Sequence, residues 1–171
     1  VNMAIWQFTL HFLPKEKVIT YFGEIPSFLS FNDYYDADEN LDISSPIQSE
    51  LETYLDYFLK LSCGFERIKS WSNSLIIWGE DKGNEVNLFT AETANLEQLY
   101  AEVDLRNFRA DFVDSLVEIA QKLDCILYTK NHTVISPTRG LLIEEIKQSR
   151  AYKFCVDPYG YLEQLGSTLD E

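Results

Sequence analysis

The residues of this sequence that could do chemistry are mainly carboxylates, and many of them lie in one stretch. The chain has 28 Asp and Glu against 14 Lys and Arg, and residues 18–59 contain nine acids but no Lys or Arg. Carboxylates can hold Ca²⁺, form acid/base pairs, or attract a basic partner. The densest part supplies the candidate partner-binding residues Asp33, Tyr34, Tyr35, Asp36, Asp38, Glu39 and Asp42.

Two of these candidates are tyrosines, which are enriched at the energetic centres of protein interfaces. The surrounding acids would speed association with a basic protein. A calcium loop is disfavoured because an EF-hand needs a central glycine and a glutamate at its end, and this spacing supplies neither. We therefore expect an exposed acidic loop at residues 32–45 and predict that it is a protein-binding surface, with a merely solvated loop as the competing interpretation.

No enzyme motif accompanies the carboxylates. The sequence lacks both glycine-rich phosphate loops and the G-x-S-x-G elbow, and its two histidines do not form the H-E-x-x-H pattern of zinc sites. A catalytic triad of Cys125 or Cys155 with His11 or His132 remains an alternative, because the residues of such a triad are brought together only by folding. We expect no enzymatic activity, no cofactor and no metal. The alternatives are a small enzyme built from scattered carboxylates and a housekeeping interaction module.

Charge and cysteine content narrow the choice of partners. The formal net charge of −14 would repel nucleic acids and anionic membranes. Three widely spaced cysteines favour reduced thiols, and no signal peptide is recognisable at the start of the chain. We expect a cytoplasmic protein, a monomer or homodimer, that binds a basic protein and neither nucleic acid nor membrane.

The periodicity of apolar residues predicts one α+β domain over residues 1–171, with an antiparallel sheet (a meander plus a hairpin) and about three helices packed mainly on one face. Expected helices span 47–62, 108–123 and 138–149, of which the first and third follow Ser-Pro signatures. Expected strands span 5–12, 65–71, 74–78, 85–89, 98–105, 125–128, 134–135 and 152–156. His11 falls on the polar face of the first strand.

Two further pairs have structural interpretations. Asp104 and Arg106, between a strand and a helix, predict a salt bridge that fixes this junction. Trp71 and Trp78, on either side of a turn, predict a cross-strand aromatic contact, with a platform for a ligand as the alternative.

The chain resembles the small acidic immunity proteins of bacterial toxin systems. The resemblance lies in the acidic segment from Asp33 to Asp42, the lack of a catalytic motif, and α+β elements such as Ile5-Trp6-Gln7-Phe8 and Asp157-Pro158-Tyr159. It implies that the protein neutralises a cognate toxin, often a basic nuclease, in the cytoplasm of the producing cell. The resemblance concerns the general character of the whole chain, and it assigns no functional residue of that family to a position in this sequence.

Overall fold

The structure, a computed structural model, describes residues 4–43, 48–91 and 96–169. It confirms the α+β class. Seven strands form one antiparallel sheet in the order β2-β3-β4-β5-β1-β6-β7. The strands are β1 (Gln7–Pro14), β2 (Arg67–Ile68), β3 (Leu75–Gly79), β4 (Glu85–Ala91), β5 (Leu96–Asp104), β6 (Cys125–Thr129) and β7 (Val134–Ile135). The expected strand at 65–71 is reduced to β2.

The described residues contain seven α-helices, where about three were expected. They are α1 (Lys15–Phe22), α2 (Phe31–Ala37), α3 (Gln48–Cys63), α4 (Ala110–Lys122), α5 (Arg139–Gln148), α6 (Arg150–Val156) and α7 (Pro158–Leu169). No helix in these ranges is both long and apolar enough to cross a membrane. The Ser45-Pro46 signature lies outside the described residues.

The expected strand at 152–156 is wrong, because this segment is helix α6. Ser149 is the N-cap residue, and its hydroxyl accepts a hydrogen bond from the Tyr152 backbone N–H at 3.1 Å. Such a cap satisfies an N–H group that has no partner within the helix. Over so short a segment, the cap outweighs the strand-like alternation of Tyr152 and Phe154.

The main core lies on one face of the sheet. The central strand β1 contributes Phe8, Leu10 and Phe12, each at most 1% exposed. Helices α3, α4 and α5 cover this face with apolar stripes, from which Leu55 and Leu116 are fully buried. The amphipathic patterns of these helices in the sequence therefore pointed to the correct core.

The opposite face of the sheet is only half covered, by the two short helices α1 and α2. A second apolar cluster lies under α1 and α2 and includes Val18, Ala37 and Tyr128. It covers the end of the sheet that contains β6 and β7. Polar side chains of β1, β4 and β5 occupy the neighbouring part of this face, and both candidate sites lie on this side of the molecule.

The two smaller expectations have different outcomes. Arg106 forms the expected salt bridge with Asp104, at 3.0 Å between Nη2 and Oδ2. The aromatic contact between the tryptophans is wrong. Trp78 is completely buried, and its indole N–H donates to Asp56 Oδ1 at 2.8 Å, whereas the Trp71 side chain is 71% exposed. The partner of Trp78 comes from a distant helix, which turn spacing alone does not indicate.

Candidate functional site

The acidic segment is a helix followed by a short 3-10 turn at Asp38–Asn40 rather than the expected loop. Ser30 is the N-cap of α2, with its Oγ accepting from the Asp33 backbone N–H at 3.1 Å. The carboxylate of Asp33 lies in the first turn, where the helix dipole favours negative charge. The cap and the inward side chains Tyr34 and Ala37, three residues apart, explain why this charged stretch is helical.

Tyr34 faces the sheet and is not part of an exposed surface. Its ring stacks on Tyr128 with the centroids 4.8 Å apart, and its hydroxyl lies 3.4 Å from His11 Nδ1. Burial is the main reason that the Tyr34 pKa is raised. This tyrosine therefore anchors α2 to the sheet.

Two of the predicted carboxylates are also engaged within the protein. Asp42 is 8% exposed, and its Oδ1 lies 2.6 Å from Lys17 Nζ. Asp38 accepts a hydrogen bond from the Gln98 side-chain amide, and burial raises its pKa. The outward charge of the segment is therefore smaller than the sequence indicates.

The remaining four candidates, Asp33, Tyr35, Asp36 and Glu39, are exposed. The sequence interpretation missed two exposed phenylalanines in the same segment, Phe28 and Phe31. The exposed fractions of Phe28, Phe31 and Tyr35 are 59%, 58% and 61%, and the Phe31 and Tyr35 ring centroids are 4.8 Å apart. The spacing of four residues between Phe31 and Tyr35 on one helix is the sequence feature that could have revealed this pair. We call the following set the aromatic–acidic patch: Phe28, Phe31, Asp33, Tyr35, Asp36 and Glu39.

A second feature, which we call the sheet cavity, lies on the uncovered part of the same sheet face. Its volume is about 590 Å³. Glu85 and Glu102 are direct register partners on β4 and β5. Alternation along the two strands places Asn87 and Tyr100 on the same face. The residues that line it are Gln7, Lys69, Trp71, Leu75, Ile77, Asp81, Lys82, Glu85, Asn87, Tyr100 and Glu102.

Glu102 is the most deeply buried acid of the sheet cavity, at 3% exposure. Its Oε2 accepts a hydrogen bond from Thr9 Oγ1 at 2.7 Å. Burial raises the pKa of Glu102 to about 7, while the Thr9 bond and the charge of Lys130 act in the opposite direction. Burial also raises the pKa of Glu85, so both carboxylates lie where the ionised form is disfavoured.

Asn87 is 2% exposed and lines the same cavity. Its amide interacts with the neighbouring Glu85 and lowers the pKa of that carboxyl. Because Nδ2 is closed to solvent, the amide offers no accessible donor to a ligand.

His11 lies between the two features, in contact with Tyr34, Tyr100 and Tyr128 at centroid distances of 5.3, 5.6 and 6.1 Å. Burial lowers the His11 pKa to about 4, so the imidazole is neutral at pH 7. Cys125 belongs to the main core on the other side of the sheet, which disfavours its pairing with His11 in a catalytic triad. In the described ranges, no three His, Cys, Asp or Glu side chains are grouped to hold a metal ion.

Comparison of the chain with protein-family models, curated proteins and solved structures found no match.

Proposed function

We propose that this protein is a non-enzymatic domain that binds and inhibits a basic partner protein, as the acidic immunity proteins it resembles do with their toxins. The observation that supports this function is the aromatic–acidic patch. Three aromatic side chains that are each more than half exposed lie among outward carboxylates. Exposed apolar clusters rimmed by polar groups are typical of protein-interaction sites.

The two parts of the patch have different roles in this proposal. Phe31 and Tyr35 supply apolar area that a partner can desolvate, and such anchors dominate binding energy. Asp33, Asp36 and Glu39 supply long-range attraction that raises the association rate. The net charge of −14 extends the same attraction over the whole molecule.

We expect truncation of the aromatic anchors to abolish tight partner binding. Removing hot-spot side chains costs about 2 kcal/mol or more each, which corresponds to an affinity loss of about 30-fold per residue. The measurement is capture from cells of the source organism, followed by titration of the recovered basic protein against wild type and the Phe31→Ala/Tyr35→Ala variant. The matched control is Tyr57→Ala/Tyr159→Ala, whose side chains are 70% and 81% exposed elsewhere on the protein.

Retention of wild-type affinity by the patch variant would show that another surface binds the partner. The recovered protein must also lose its own activity when it is bound, because binding without inhibition contradicts the inhibitor function.

Neutralising the patch carboxylates is expected to affect the rate of association more than the rate of dissociation. Asp33→Asn, Asp36→Asn and Glu39→Gln together should slow association by about tenfold at low ionic strength, with the difference shrinking at high salt. Stopped-flow mixing measures this rate. The control variant Glu118→Gln/Glu144→Gln/Glu163→Gln removes the same charge from exposed positions on other helices. Equal slowing by both variants would assign the effect to net charge and not to the patch.

A further inference from the structure

The last helix, α7, has little cover from the rest of the protein. It begins at Pro158, directly after Asp157, whose carboxylate accepts a hydrogen bond from a backbone N–H of the first turn at 3.0 Å. It packs mainly on α6, where the ring centroids of Tyr161 and Phe154 are 6.2 Å apart. Over residues 158–167, no side chain is buried. Isolated helices of about 12 residues are marginal in water, so a second packing surface would stabilise α7.

One side of α7 is both apolar and exposed. Tyr159, Leu162 and Leu165 are 81%, 53% and 40% exposed. At about 3.6 residues per turn, these three residues and Pro158 lie within about 120° around the helix axis. The spacing of Pro158, Leu162 and Leu165, four residues and then three, is the spacing with which one helix packs against another in coiled coils. The pattern indicates that another helix covers this side of α7.

The charge of this region differs from that of the whole molecule. Residues 139–169 have no net charge, whereas the whole chain has −14. Their four basic and four acidic residues are Arg139, Lys147, Arg150, Lys153, Glu144, Glu145, Asp157 and Glu163. A basic partner is attracted to the acidic residues 18–59, and the total charge repels anionic surfaces. Two copies of the chain, in contrast, meet with the least repulsion at this neutral region.

We propose that α7 is a self-association surface, on which the apolar side of α7 from a second copy packs to form a two-fold symmetric homodimer. A second copy supplies a helix with the same apolar spacing and the same neutral surroundings. In a two-fold interface both copies use the same residues, so Leu162 and Leu165 of each copy lie in the contact. This inference is independent of the proposed function, because the aromatic–acidic patch is not part of the surface.

The size of the contact predicts a weak dimer. A standard protein interface buries about 800 Å² per partner, and one helix of 12 residues supplies only part of this area. We expect a dissociation constant on the order of 50 µM. Salt should strengthen the dimer, because it screens the repulsion between two copies of net charge −14. Binding of a basic partner through the patch has the opposite salt dependence.

Sedimentation equilibrium of the intact chain from about 5 to 500 µM measures this association. The mass of wild type should rise from the 19.9 kDa of the monomer towards twice this value. Leu162→Glu/Leu165→Glu should stay monomeric, because it introduces two like charges in each half of the contact. The matched control Tyr57→Glu/Leu61→Glu adds the same charge on α3, at residues that are 70% and 72% exposed, and should still dimerise.

Hydrogen exchange locates the contact. The backbone amides of α7 should exchange up to about tenfold more slowly at the highest concentration than at the lowest, because dimerisation stabilises this helix. The amides of α2 should exchange at the same rate at both concentrations. Protection of α2 in place of α7 would assign self-association to the patch and overturn the proposal.

A protein that stays monomeric at about 500 µM and about 0.5 M NaCl would also overturn it. So would a dimer that the Leu162→Glu/Leu165→Glu variant retains, or that the α3 control loses to the same extent. Phosphatidylcholine vesicles represent the other surface that covers apolar helices, and binding to them by a protein that stays monomeric in solution would overturn the proposal in favour of lipid.

The dimer and the patch can be tested separately. The Phe31→Ala/Tyr35→Ala variant should dimerise like wild type. Partner titrations at concentrations well below about 50 µM involve monomers, so the Tyr57→Ala/Tyr159→Ala control leaves the patch unchanged in them. Failure of the dimer is therefore distinguishable from failure of the proposed function.

Discussion

The Glu102→Gln variant is expected to be more stable than wild type at pH 8 by about 3 kcal/mol, and equally stable near pH 4.5. Burial raises the Glu102 pKa from 4.5 to about 7. A raised pKa means that the folded state favours the protonated form, so this stabilisation is complete below pH 4.5 and is lost as pH rises through 7. Each pKa unit corresponds to 1.36 kcal/mol. Glutamine keeps an oxygen that can accept from Thr9 but carries no charge.

Urea unfolding at pH 4.5, 6, 7 and 8 measures this difference. The exposed Glu163→Gln control removes the same charge from helix α7 and should change stability by less than about 0.5 kcal/mol at every pH. A difference between Glu102→Gln and wild type that does not vary with pH would show that Glu102 is already ionised without cost.

The second large effect concerns His11, which destabilises the protein at low pH, whereas Glu102 destabilises it at high pH. Burial lowers the His11 pKa from 6.5 to about 4, so its contribution to stability is complete above pH 6.5 and is lost as pH falls to 4. Since His11 is half-buried as a whole residue, solvent screens part of the effect, and we expect a loss of about 2 kcal/mol. In His11→Phe this acid destabilisation should disappear, because phenylalanine fills the space among the tyrosines without a titrating group.

The control for this experiment is His132→Asn. His132 has a backbone φ of 64°, a left-handed conformation that asparagine tolerates. This variant leaves His11 as the only histidine of the chain, so the NMR titration of its ring protons gives the pKa directly. A midpoint near 6.5 would contradict the buried, neutral imidazole.

The two titrations largely cancel in the wild-type protein between pH 4.5 and 6.5. Acidification protonates Glu102, which favours folding, while it also protonates His11, which opposes folding. Burial also raises the pKa of Glu97 and Asp38, and both add to the effect of Glu102. The wild-type stability should therefore vary less with pH than that of His11→Phe, in which the opposing contribution of His11 is removed.

The local pattern of residues was sufficient for most elements of the main core. Alternation in β1 placed Phe8, Leu10 and Phe12 on one face, and the apolar stripe of α4 predicted a helix that packs against them. These predictions succeed because the periods of 2 and 3.6 residues follow directly from strand and helix geometry. The salt bridge between Asp104 and Arg106 could also be predicted, because its partners are only two residues apart.

The candidate binding surface could be predicted only in part. The acidic composition drew attention to residues 33–42, but it could not separate the outward Asp33 and Tyr35 from the inward Tyr34 and Asp42. That separation depends on the helical conformation of α2 and on its packing against β6. It also depends on Lys17, which is 25 residues away from Asp42 in the sequence.

The sequence by itself determined the charge, the α+β class and the inward faces of β1 and α4, because these depend on composition and on neighbours within a few residues. The tertiary structure decided the sheet cavity. Gln7 lies on β1, which is far in the sequence from β4 and β5, the consecutive strands that contain Glu85 and Glu102. Their proximity is set by strand order and register, which arise from pairing across the whole chain, and burial then shifts the pKa of the acids that this pairing brings together.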